Sequence, residues 1–142
     1  MALPCFDGGR WTSIADLGGM PTVVNLWASY CGPCRTELPV MQRIATAGAG
    51  QVRVVGIVTK DRHDQAQSVI EDAKLTFPML EDQGQQFAIA AGSVVSKALV
   101  SLPATLFVSA DGRIAYTYQG IALDEPHLRA LIAQHLGVGI PQ

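Results

Sequence analysis

Thr22 to Ala28 reads TVVNLWA, an apolar run of strand length broken by one amide, Asn25, and it leads straight into Cys31-Gly32-Pro33-Cys34. A strand with so few polar side chains has to be covered on both faces, which places it inside a sheet that carries helices. The following segments supply those helices. Arg35 to about Ala47 turns helical, with Leu38, Met41, Ile44 and Ala45 on one stripe, Gly48 as a stop and Pro39 expected to kink it. Val52 to Val58 (VRVVGIV) reads as a second buried strand, and Asp61 is expected to open a helix that uses Ala66, Val69, Ile70 and Ala73. This alternation predicts an α/β chain on a parallel sheet with covered faces.

The second half changes pattern. Ala104 to Ser109 (ATLFVS), an Asp111-Gly112 turn and Arg113 to Gln119 (RIAYTYQ) predict a β-hairpin, which makes the completed sheet a mixed one. Asp124 caps a closing helix, with Pro126 in its first turn and Leu128, Leu131, Ile132 and Leu136 as its buried stripe. Between the halves, residues 77–99 hold a short extended piece (PMLE) and a weak helical signal from about Gln85 to Ala91, and they read as an insertion. Residues 1–20 read as an N-terminal arm. No repeat, low-complexity tract or Pro/Ser linker divides the 142 residues, so one domain over 1–142 is expected, large enough for a core without disulfide staples.

Charge and hydropathy exclude several partners. Ten Lys plus Arg against twelve Asp plus Glu leave a formal charge of -2, and the basic residues are scattered, so no nucleic-acid partner is expected. No apolar run approaches the roughly 18 to 20 residues of a membrane span, and Met1 to Gly9 (MALPCFDGG) lacks the charged and apolar regions of a signal peptide. As it stands the chain reads as soluble and, if complete, cytoplasmic; an anchor or signal removed upstream would place it outside.

The cysteine pair carries the chemistry. A cysteine at a helix N-terminus lies near unpaired backbone N–H groups and the positive end of the helix dipole, which favour a thiolate and make Cys31 the nucleophile. Cys34, one turn further in, is within disulfide reach and more shielded, which suits a resolving thiol. Zinc would have to draw its other ligands from Cys5, His63, His127 and His135, which lack paired spacing, so no metal is expected. A purely structural crosslink closes too small a loop to restrain the unfolded chain much. Cys5 reads as a partly buried free thiol, and His127 and His135 as surface residues of the last helix.

A βαβ unit, a hairpin and a closing helix, with CGPC at the first strand-to-helix junction, resemble the thioredoxin fold. Trp27, Arg35, Pro39 and Leu102-Pro103 strengthen the likeness, and Glu37-Leu38-Pro39, FPMLED and SLPATLFVSADGRI are similar to the TlpA/ResA/CcmG group of extracytoplasmic thiol-disulfide oxidoreductases. That resemblance implies a protein-disulfide oxidoreductase without a cofactor, a reductase rather than an oxidase, acting outside the cytoplasm as a monomer. Protein thiols and disulfides, such as those of apocytochrome c, would be its substrates, and a membrane thiol-disulfide partner its electron donor. It also implies a substrate-binding margin of Trp27, Tyr30, Gly32, Pro33, Leu102 and Pro103, with the Leu102-Pro103 bond cis and against the cysteines. Peroxidases that share the fold want Pro and Thr where this chain has Asn25 and Ala28. The competing class is a thioredoxin-fold binding module without turnover.

One departure from thioredoxin is expected to matter. Where thioredoxin places a buried Asp that is usually assigned the proton of the second cysteine, this chain has Asn25, which cannot take a proton. Glu37, three residues after Cys34, shares its helix face and is the expected substitute, with burial raising its pKa. The alternative is a solvated glutamate that offsets Arg35 or Arg43.

Overall fold

In the computed structural model, residues 2–8, 10–95, 99 and 101–141 are described. The apolar runs become strands where the sequence places them. TVVNLW forms β3 (Thr22–Trp27), RVVGIVT forms β4 (Arg53–Thr59) and ATLFV forms β6 (Ala104–Val108). With β5 (Met79–Asp82) and β7 (Ile114–Gln119) they give, among the described residues, a five-stranded sheet ordered β5-β4-β3-β6-β7. β4 runs parallel to β3 and to β5, while β6 is antiparallel to both β3 and β7, so the sheet is mixed as expected.

Alternation along the central strands sorts their side chains to two cores. Val23 and Trp27 from β3, Val54 and Val58 from β4 and Phe107 from β6 pack with Leu38, Met41 and Ile44 of α1 (Gly32–Ala47), Ala66 of α2 (His63–Asp72) and Leu128 and Ile132 of α4 (Glu125–Leu136). Val24, Leu26, Val55, Ile57 and Leu106 face the other way, against Leu3, Leu17 and the Phe87, Ala88 and Ala91 stripe of α3 (Gln86–Val95). Asn25 therefore points to the α1 side.

Helix limits follow local chemistry. α1 runs unbroken through Pro39 and ends at Gly48, whose N–H donates to Ile44 O at 2.8 Å. Asp124 caps α4, its carboxylate accepting the His127 amide at 2.8 Å. α3 starts one residue later than its weak signal and runs on to Val95, and Asp82, 3% exposed, closes its N-terminus by accepting the amide hydrogens of Phe87 and Ala88. The cap of α2 falls on Arg62, one residue later than expected, since Asp61 uses its carboxylate elsewhere.

Segment 77–99 places β5 on the edge of the main sheet and α3 over one face. Its Ser96, Lys97 and Ala98 lie outside the described residues, as do Met1 and Gly9 of the arm. The arm itself forms β1 (Ala2–Pro4) paired with β2 (Trp11–Ser13), and Cys5 bridges to Leu80 of β5. Cys5 is a half-buried free thiol with its sulfur 3.8 Å from Thr12 Oγ1. No helix is long and apolar enough to cross a membrane among the described residues.

Candidate active site

β3 ends at Trp27 and the chain turns through Ala28, Ser29 and Tyr30 into α1, with Cys31 as the helix N-cap. Gly32 and Pro33 open the helix; the amide hydrogen that proline lacks would have had no partner in a first turn. Cys31 and Cys34 are joined as a disulfide with their Cα atoms 5.2 Å apart. The Cys34 amide hydrogen also points at Cys31 Sγ, with N and S 3.2 Å apart. Cys31 is half-buried, whereas Cys34 is 1% exposed, so an incoming group meets Cys31 first.

The turn before Cys31 is fastened from β4's far end. Asp61, 7% exposed, accepts the Ser29 amide hydrogen at 2.6 Å, the Ser29 hydroxyl at 2.8 Å and the Arg62 amide hydrogen at 2.8 Å. This use of its carboxylate explains why Arg62, not Asp61, caps α2. Tyr30 stands out of the turn and its hydroxyl reaches Thr59 O at 3.4 Å. Partial burial, and then the Asp61 carboxylate, push that hydroxyl's pKa up.

The expected margin residues divide by exposure. Tyr30, Gly32 and Pro33 are exposed around Cys31, and Leu102 is half-buried. Trp27 is fully buried and lies over Gly56, where a Cβ would come 3.1 Å from its Nε1. The Leu102-Pro103 peptide bond is cis and Pro103 is buried. Leu26 pairs with Ala104, the first residue of β6, so Pro103 leads into that strand at the end of β3 from which the cysteine loop leaves.

One turn after Cys34 on α1 lies a buried carboxyl. Glu37 has no solvent exposure; its Oε1 accepts from Asn25 Nδ2 at 2.8 Å and its Oε2 from the Leu123 amide at 2.8 Å. Arg43 is taken up by Glu125 at 2.7 Å, and Arg35 is exposed. Burial raises the Glu37 pKa above the ordinary glutamate value, while the Leu123 amide, Asn25 and Thr105 pull it back in part. Asn25 sits opposite Thr105 in the β3–β6 register, with Nδ2 3.4 Å from Thr105 Oγ1.

Three contributors lie outside the site that the sequence predicts. Thr105 carries the same signal as Asn25, a polar side chain in an apolar strand. Asp61 reads in sequence as a helix start. Leu123 acts through its backbone, which no side-chain pattern announces.

A family model described as AhpC/TSA matches residues 1–117. The thiol:disulfide interchange protein DsbE of Pseudomonas fluorescens biotype C is 31% identical over 124 residues, which cover 87% of this chain and 64% of that protein. The first three curated relatives are spanned to 64%, 46% and 53% of their own lengths. Among solved structures, a secreted Mycobacterium tuberculosis disulfide oxidoreductase homologous to Escherichia coli DsbE superposes with a TM-score of 0.74 at 26% identity, covering 94% of this chain and 95% of that one. DsbF of the same organism gives a TM-score of 0.81 at 23% identity over 94% and 93% of the two chains, a likeness of fold.

Proposed function

Because the chain belongs to the AhpC/TSA family, we propose that it is a thiol-disulfide oxidoreductase whose Cys31–Cys34 pair exchanges electrons with disulfides and dithiols of other proteins. The unequal exposure of the two linked cysteines at the start of α1 carries this reading. In the reducing direction, the Cys31 thiolate attacks a substrate disulfide, one substrate sulfur leaves as a thiolate, and a Cys31–substrate mixed disulfide forms. Cys34 then loses its proton and attacks Cys31 Sγ. The second substrate sulfur leaves with the electron pair, so two electrons have moved from the pair to the substrate.

Within that scheme we assign Cys31 as nucleophile, Cys34 as resolving thiol and Glu37 as the group that receives the Cys34 proton. Burial beside Cys34 and a raised pKa suit Glu37 to that task. Tyr30, Gly32, Pro33, Leu102 and Pro103 form the margin against which an extended substrate would lie, with Trp27 supporting it from below.

Reduction is favoured over oxidation because Gly-Pro separates the cysteines, as in thioredoxin, whose potential lies near about -270 mV, against about -120 mV for a strongly oxidising relative. Similarity to a thiol:disulfide interchange protein and to a secreted disulfide oxidoreductase supports work outside the cytoplasm on protein thiols. Apocytochrome c thiols as substrate, a membrane-held dithiol as electron source and a monomeric state complete the proposal. A peroxidase finds less support, since Asn25 and Ala28 stand where such enzymes want Pro and Thr. Insulin reduction by dithiothreitol tests the activity. Acceleration abolished by Cys31→Ser is expected, and no acceleration by the parent chain would leave a binding module instead.

A further inference from the structure

Both oxygens of Glu37 face hydrogen-bond donors, the Asn25 side-chain amide at 2.8 Å and the Leu123 main-chain amide at 2.8 Å. That arrangement suits a carboxylate. Once the group carries a proton, the new O–H needs an acceptor where Asn25 Nδ2 and the Leu123 amide offer donors, and a missing one is costly at a site without solvent exposure. An acceptor nonetheless stands on the same neighbour. Asn25 Oδ1 is buried and has no hydrogen-bond partner among the described residues. Rotation by about 180° about the last bond of the asparagine side chain exchanges Nδ2 for Oδ1.

Resting on the reading of Glu37 as acceptor of the Cys34 proton, we propose that Asn25 is a positioning residue whose amide turns over with that proton, its N–H facing the carboxylate and its C=O facing the acid. Cys34 S–H gives its proton to Glu37, which leaves a thiolate and a neutral acid, and the new O–H donates to Asn25 Oδ1. When the proton departs, the amide turns back. A carboxamide serves both states through one rotation. An aspartate there could not donate while ionised, and an aliphatic side chain could do neither.

Among the described residues, Cys34 lies one turn before Glu37 on α1 and Tyr118 on β7 is the titratable group that senses its charge; burial, then Glu37, and after them Tyr116 and Asp124, raise the Tyr118 pKa. β3, β6 and the loop before α4 present the neutral Asn25, Thr105 and Leu123 amide. Thr105 is the other hydroxyl within reach, so it is tested alongside.

NMR of the oxidised chain between pH 5 and 9 tests the proposal. The Glu37 side-chain carbonyl carbon reports its proton, and the nuclear Overhauser contact between the Asn25 side-chain amide hydrogens and the Thr105 methyl reports which way the amide points. That contact is expected to weaken with the same midpoint as Glu37, and to lose its pH dependence in Glu37→Gln. Asn25→Leu is expected to slow resolution of a mixed disulfide about tenfold, the effect of one lost hydrogen bond to a charged group, with Thr105→Val slowing it less. If Asn25→Leu does not fold, the wild-type spectra decide. A contact that persists while Glu37 titrates, or wild-type resolution in Asn25→Leu, overturns the amide's role and leaves Glu37 as proton acceptor. Unchanged resolution in Glu37→Gln removes that acceptor, and this proposal with it.

Discussion

The side-chain amide of Asn25 donates to Glu37 Oε1 at 2.8 Å, joining the central strand to the first helix with both side chains shut off from solvent. Glu37 follows Cys34 by three residues on the same helix, so the strand amide reaches the helix one turn beyond the cysteine pair.

If Glu37 takes the Cys34 proton, Glu37→Gln should slow release of the mixed disulfide far more than the first attack by Cys31, and most of all below neutral pH. A loss of about tenfold to a hundredfold is expected for a proton acceptor that water can partly replace. Stopped-flow reduction of a model disulfide from pH 5 to 8 separates the two steps, and equal resolution rates throughout would return the task to water.

The raised Glu37 pKa also has a consequence for stability. A carboxyl whose folded pKa lies above its unfolded value of about 4.5 binds more protons when folded. Its contribution is therefore full below that value and is lost as pH rises through the higher folded value. Urea unfolding should find wild type losing stability relative to Glu37→Gln across that interval. A constant difference between the two from pH 4 to 8 would mean that burial does not shift the group.

Asp61 holds the turn that presents Cys31, through two bonds to Ser29 and one to the Arg62 amide. Asp61→Ala frees that turn and leaves the Ser29 amide without its acceptor. A stability loss of about 2 kcal/mol is expected from denaturant unfolding, together with slower attack by Cys31. Asp61→Asn, which retains an acceptor, should recover part of both, and indistinguishable behaviour of the two variants would argue against the fastening.

Gly56 gives Trp27 its place. A methyl there would collide with the Met79 sulfur and press on Phe77 and the indole nitrogen. Gly56→Ala should cost about 1 to 3 kcal/mol and lower Tm by several degrees. Wild-type thermal stability would show that the indole has room to move.

The long elements were legible because burial writes itself into composition. TVVNLWA, VRVVGIV and ATLFVS could only be inner strands, and the cysteine pair could only sit where the first of them meets a helix. Three-residue strands such as β1 and β2 are too short to carry a period, so the arm hid its pairing. Glu37 was reachable from its spacing to Cys34 and from the missing acid at Asn25. Asp61 was misplaced because an acidic residue ahead of a helical pattern is ordinarily a cap, and only the folded chain brings Ser29 to its oxygens. The Leu123 amide, 86 positions from Glu37, lay beyond any local rule.

Exchange through Cys31 is tested most directly by trapping its intermediate. Reduced Cys34→Ser and Cys31→Ser chains would each be mixed with oxidised insulin and the products weighed intact by mass spectrometry under denaturing, non-reducing conditions. A covalent adduct at Cys31 that accumulates with Cys34→Ser and is absent with Cys31→Ser is the predicted result. Adducts of equal yield on both variants, or none on either, would contradict the assignment of Cys31 as the attacking thiol.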